Sequence, residues 1–267
     1  MTPPTPPKDS IVLQTAKKHF DEDIARARAI LTHAGTLPDS LLKDDLCRSA
    51  WMFGVGALDA YFSDAFGDLI ARTLRAMQAE SSVSVPDRFQ NLKVPVATVI
   101  RTNPSDGWRW RMAARELIEE DNVLAIEKIR SLFNQFFPST NKLFGKARIE
   151  SWILDPKSNS RLFAITKSAF AALSPGNAKN TVIDQATKQL EARFEVIFQR
   201  RHDCIHNCDR PRVKPQPLNG TGTATNVISD IVFLVHHCHT ALVARYPEYL
   251  KDLGFSAVTR NSVGASK

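Results

Sequence analysis

Between Arg193 and Arg212 the chain reads RFEVIFQRRHDCIHNCDRPR, and the stretch Arg200 to Cys208 holds two arginines, two histidines and two cysteines. Each of these residue types can do chemistry. Histidine changes charge close to neutral pH, so it can act as general base or general acid. Arginine stays charged and offers a planar fork that binds two oxygens of a phosphate. Arg201, His202 and His206 therefore combine a phosphate holder with two proton carriers, a set that cleaves a phosphodiester without a metal when the substrate brings its own nucleophile. RNA does so through the 2′-hydroxyl beside each phosphate, which needs a base, charge stabilisation and positioning. On this reading His206 accepts the 2′-hydroxyl proton or protonates the leaving 5′-oxygen, Arg201 holds the phosphate, and the product carries a 2′,3′-cyclic phosphate. Arg200, Asn207, Arg210 and Arg212 surround the pair as candidate phosphate contacts, and Asp203 lies inside the motif as a supporting group.

Spacing constrains how these residues can meet. Five positions at about 100° each put Arg201 and His206 roughly 140° apart around an ideal helix, so they do not share a face. Either the helix unwinds near Asn207 or a second chain completes the site.

A metal reading competes, because five of the seven histidines and three of the four cysteines fall between residues 202 and 239. Cys204 and Cys208 are four apart, and His236 and His239 are three apart, so each pair could supply half of a zinc site. Against it, Cys204, Cys208 and Cys238 all fall on apolar stripes, where free cysteine packs as a small hydrophobe. There is no C-x-x-C or H-E-x-x-H motif. The expectation is no metal and no cofactor, with His236 and His239 supporting the RNA site.

The elements that must carry this motif read as helices. Residues 1–8 hold four prolines and little to bury, a disordered lead. From Asp9 or Ser10 the positions Leu13, Ala16, Phe20, Ile24, Ala27, Leu31 and Ala34 keep three-four spacing, and Gly35 closes that helix. A second helix runs from about Leu41 to Met77, and its middle, Ala50 to Phe62, is apolar nearly all round, as a central helix is. Its lone charge, Asp59, needs a partner if buried, and Arg201 or His206 could serve; otherwise it sits at an exposed edge. Residues 80–107 read as a long connection, and helix returns at Trp108 to end at Pro138. The interleaved Trp108, Arg109, Trp110 and Arg111 could stack on and neutralise RNA or simply pack. Further helices are expected over Asn159–Leu173, Thr181–Asn207 and Ala224–Tyr246, with residues 251–267 a flexible tail. Ile183, Leu190, Phe194, Ile197, Cys204 and Cys208 fall near one face of the motif helix, and Arg201 falls in the same stripe. The sum is an all-α fold, a single helical bundle of about five to seven helices over residues 9–250 with long connecting loops.

Composition agrees with a globular chain of 267 residues, 43% hydrophobic and 24% charged. A net charge of +7 favours a polyanionic partner. No run of 18 or more uninterrupted apolar residues is present, and the first residues lack the order of a secretion signal, so the expected compartment is the cytoplasm and no membrane partner is expected.

The sequence R-polar-x-x-x-H at the end of a long helix, here Arg201, His202 and His206, in an all-helical chain with a central apolar helix near its start, resembles the HEPN superfamily (higher eukaryotes and prokaryotes nucleotide-binding) of the R-x4-H ribonuclease type, RiboL-PSP-like in branch. The resemblance in fold covers roughly residues 10–250. It implies a metal-independent endoribonuclease acting as a toxin or antiviral defence effector, with an antitoxin or sensor as a further partner. It also implies a homodimer whose motif helices face each other to form one cleft from two arginines and two histidines. The family tolerates more than one gap, which makes Arg200 a rival to Arg201. The alternative is a helical module that binds RNA, nucleotide or protein without cleaving.

Overall fold

In the computed structural model the described residues are 12–84, 86, 124–209, 218 and 220–265. Among them every regular element is helical, as the sequence predicts. Helix α1, Gln14–Gly35, buries Ala16, Phe20, Ile24, Ala27, Leu31 and Ala34, the stripe anticipated from spacing. Helix α2, Leu41–Ala79, starts at Ser40, whose side chain accepts the Lys43 N–H, and it is buried along most of its circumference. That burial makes it the axis of the fold.

Three long helices form the centre. Antiparallel to α2, α1 is pinned where the Asp68 carboxylate accepts the Leu13 N–H at 3.0 Å. Helix α8, Thr221–Asp252, runs parallel to α2 and packs against both α2 and α1. At Gly54, α2 and α8 approach closely: a Cβ there would stand 2.3 Å from the Ile228 Cδ1 atom, so only a bare Cα lets the helices pack this near. Further along, Tyr246 of α8 donates to the Leu69 carbonyl at 3.0 Å and shares a 2.9 Å hydrogen bond with Thr73. Helix α7, Asn177–Asn207, packs Ile183, Ala186, Leu190, Phe194, Ile197 and Phe198 into the core and crosses the first turns of α2.

Short elements fill the remaining flank. They are α3, Ile126–Phe133, prolonged by a 3-10 turn at Asn134–Phe136; α4, Lys146–Ile153; α5, Ser160–Phe163; and α6, Lys167–Ala171. The aromatic rings of Phe62, Phe66, Phe133, Phe136, Tyr246 and Tyr249 form one cluster, mostly edge-on, between α2, α3 with its 3-10 turn, and α8.

Several boundaries differ from the expected ones. One helix over Asn159–Leu173 is in fact α5 and α6, because Ala164 turns left-handed at φ 57° and breaks the run. Helix α4 was not anticipated at all. Helix α8 continues through Pro247 to Asp252, six residues further than spacing suggested, because the turn beyond the proline buries Tyr249 and Leu250, with Tyr249 against Phe136 of the 3-10 turn. The flexible tail over 251–267 is corrected for its described part: α9, Ala257–Ser262, folds back, buries Val263 and Ala265, and gives the Val263 carbonyl to Arg72. The Pro-rich lead over residues 1–8, most of the 80–107 connection, and Trp108 to Arg111 lie outside the described residues.

By length and composition α8 could cross a membrane, although it has no unbroken apolar run, and 56% of its most apolar window is buried inside the fold. It also carries a fully buried carboxylate, Asp230. That group accepts Arg193 Nε and Nη2 at 2.9 Å each, Arg161 Nη2 at 3.2 Å and Asn159 Nδ2 at 3.4 Å.

Candidate nucleic-acid interface at the end of α7

Helix α7 stays regular through Asn207. The backbone leaves the helix at Cys208, just past Asn207, so Arg201 and His206 both stay helical and project about 140° apart. The core-facing stripe of α7 runs out of the protein at its last turns, so the arc that is buried at Phe194 and Ile197 becomes half-buried at Arg201 and exposed at Ile205.

Arg201 faces back toward α2. The Asp59 carboxyl is raised above its ordinary range chiefly by burial, and the positive charge of Arg201 acts on it in the opposite sense. The two thus sense each other without a direct ion pair: among the described residues Arg201 makes no hydrogen bond or salt bridge. Asp59 is half-buried, between the two expected placements, and the charge that acts on it is that of Arg201 rather than of His206.

His202 and His206 occupy the exposed flank one turn apart, their ring centroids 4.3 Å apart and the planes inclined by 44°. Both imidazoles are open to solvent or to a ligand. Ile205, 48% exposed, lies between Arg201 and the two imidazoles on the helical wheel. His206 also sits in the last turn, where a cation is favoured by the helix dipole. Asp203 accepts Gln199 Nε2 at 2.9 Å through its side chain.

Arg200 is committed elsewhere. Its Nη2 donates to Asp209 at 2.5 Å, and its guanidinium lies 5.9 Å from the Trp51 ring centroid. Asp209 is fully buried and also accepts Arg48 Nε at 2.7 Å, while Arg48 reaches Asp45 at 2.9 Å. Trp51 Nε1 donates to the Ile197 carbonyl at 3.0 Å, a second tie between α2 and α7. This bracing was not legible in the sequence: Arg48 and Asp209 are 161 positions apart, and only the apolar context of α2 hinted that its charges need partners. As a rival to Arg201, or as a phosphate contact, Arg200 is thereby disfavoured, its fork being held by a buried carboxylate.

Other expected members do not join the site. His239 meets the Tyr61 hydroxyl at 3.2 Å and lines a groove of about 610 Å³ between α1 and α8, near Lys17 and Val243. Its imidazole is pushed down to about 4, mainly by burial, with Lys17 adding in the same direction. His236 is exposed beside His237, which stacks on Trp152 and Phe233 and stands 3.6 Å from Asp155. Burial chiefly pushes His237 down to about 4 as well. Neither His236 nor His239 touches α7 among the described residues, which corrects their expected support of Arg201 and His206. Arg210 and Arg212 lie outside the described residues, and Asn207 is described only as the last residue of the helix.

The cysteines separate by burial. Cys47 and Cys238 are buried, Cys204 is half-buried and hydrogen-bonded to Arg200, and Cys208 is exposed at the helix cap rather than on the core stripe. Burial pushes the Cys204 thiol up. All four are free, and among the described residues no three His, Cys, Asp or Glu side chains converge as a metal site would require.

No protein-family model matches this chain, and neither a curated protein sequence nor a solved structure does.

Proposed function

We propose that the chain is a metal-independent endoribonuclease that works as a homodimer, with the last two turns of α7 as its RNA-handling surface. The observation that carries this reading is the arc at the helix end: a half-buried Arg201 without a direct acidic partner among the described residues, and two adjacent, exposed imidazoles on the neighbouring face. Such an arginine can receive a phosphate without first breaking an ion pair, and such imidazoles can reach the groups around it.

The reaction needs three events. The 2′-oxygen attacks the adjacent phosphorus, its proton passes to the His206 of a second copy, and the 5′-oxygen leaves with a proton from His202. Arg201 neutralises charge gathering on the phosphate oxygens as the 2′,3′-cyclic product forms. Because Arg201 and His206 diverge on a straight helix, two copies related by a two-fold axis provide the converging geometry, and the exposed Ile205 between them is apolar surface for that contact. This matches the dimer that the HEPN resemblance implies. The same resemblance suggests a cytoplasmic toxin or antiviral effector, restrained by an antitoxin or triggered by a sensor.

The test is incubation of purified protein with total RNA in EDTA. Chelator-resistant cleavage yielding 2′,3′-cyclic phosphate ends, and lost in Arg201→Ala and His206→Ala, supports the proposal. Tight binding without cleavage in the unsubstituted protein rejects it in favour of a silent RNA-binding module.

A further inference from the structure

Just past α7 the backbone does something costly. Cys208 and Asp209, neither of them glycine, take consecutive left-handed conformations at φ 47° and φ 57°, a geometry that L side chains adopt only when the surroundings impose it. The imposing contacts are on the page. Asp209 turns back so that its N–H donates to the Asp203 carbonyl at 3.0 Å, and its carboxylate enters the interior to meet Arg48 and Arg200. Arg48 belongs to the second turn of α2, and Arg200 lies in α7 itself beside Trp51.

We propose that Asp209 is a positioning residue: by clamping Arg48 and Arg200 it fixes the last turns of α7 on α2 and so holds Arg201, His202 and His206 in their functional arrangement. The inference rests on the ribonuclease reading for its consequence in activity, but its structural half stands apart from it. It also divides the labour between adjacent arginines, with Arg200 facing inward to brace the helix and Arg201 left for the phosphate. Asp209 itself touches no substrate. Without the clamp, only the backbone bonds to the Asp203 carbonyl hold the left-handed pair, and the final turn frays more readily.

Asp209→Asn keeps the shape and removes the charge that holds the two guanidinium groups. Arg200→Lys keeps a charge and removes the planar fork. Asp252→Asn, which breaks the exposed pair with Arg245, serves as control. Hydrogen exchange in the full-length protein is expected to show the amides of residues 201–209 exchanging at least about tenfold faster in the first two variants, with the central turns of α2 and α8 unchanged. In parallel, the nuclear Overhauser contact between the His202 and His206 rings, strong at 4.3 Å, should be lost. Where RNA is cleaved, kcat should fall at least about tenfold with KM changed by less than about threefold.

Unchanged exchange together with a retained ring contact overturns the proposal. So does loosening of 201–209 with wild-type turnover, which would make Asp209 structural only. If the unsubstituted protein does not cleave RNA, the ribonuclease reading fails, and the clamp is then judged by the exchange and ring-contact results. Should Asp209→Asn fail to fold by circular dichroism, Arg200→Lys carries the same measurements.

Discussion

Asp230→Ala probes a heavily paired buried charge. Asp230 has no solvent exposure, and its carboxylate joins three elements: α8, which carries it; α7, through Arg193; and the start of α5, through Arg161 and Asn159. Asn159 also caps α5 by accepting the Leu162 N–H, so loss of the carboxylate loosens that cap as well. Truncation leaves Arg193, with a side chain only 18% exposed, without its counter-charge. Breaking one side of a buried pair costs about 3–5 kcal/mol. With an m-value of about 3 kcal/mol/M in urea for a chain of this size, the unfolding midpoint should fall by roughly 1–1.7 M at unchanged slope. The partner experiment removes both charges: Asp230→Leu combined with Arg193→Met should be less destabilising than Asp230→Ala alone, because no orphaned charge remains. A midpoint shift below about 0.3 M for Asp230→Ala would refute the reasoning, since that corresponds to about 1 kcal/mol, the scale of an exposed pair.

Two imidazoles set a pH dependence. His237 and His239 are each pushed down to about 4 in the fold, chiefly by burial, while in the unfolded chain they titrate near an ordinary value of about 6.5. The unfolded state therefore binds more protons between these values, so stability is full above pH 6.5 and is lost as the pH falls toward 4. After allowance for solvent screening at these half-buried groups, each should contribute about 1–2 kcal/mol of loss between pH 7 and pH 4.5. Urea titrations at the two pH values should show a correspondingly smaller loss in the His237→Gln, His239→Gln double variant, and an equal loss would count against the assignment. Truncation after Ser256 tests the docked C-terminal segment. It removes the buried Val263 and its carbonyl bond to Arg72, and should lower stability by about 3 kcal/mol by denaturant titration. A freely moving tail would leave stability unchanged.

What was legible in the sequence was periodic. The six buried positions of α1 repeat at three and four, and Arg201 falls on the core-facing stripe of α7; each follows from local spacing and each is present in the structure. The short helices were harder. Helix α4 has only eight residues, too few for a stripe to emerge, and Ala164 gives no compositional sign of the left-handed turn that splits α5 from α6. Pro247 lacks the N–H of a helical hydrogen bond, yet tertiary burial of Tyr249 and Leu250 carries α8 past it. Within the candidate site, Arg201, His202 and His206 could be picked out by residue type and order. The clamp of Arg48, Arg200 and Asp209 could not, since its members come together only when α7 crosses α2. The same limit misplaced His236 and His239: their distance from α7 is a property of how α8 packs, which spacing along α8 does not reveal.

The central claim is that one copy's Arg201 works with another copy's His206, and complementation between inactive variants measures this directly. Arg201→Ala and His206→Ala proteins are each expected to be inactive on RNA. Mixed in equal amounts and allowed to exchange subunits, half of the dimers become mixed, and each of those regains one intact site of two, so the mixture should reach about a quarter of wild-type cleavage. Activity no greater than that of either variant alone, with mixed dimers demonstrated by mass spectrometry, would contradict the account.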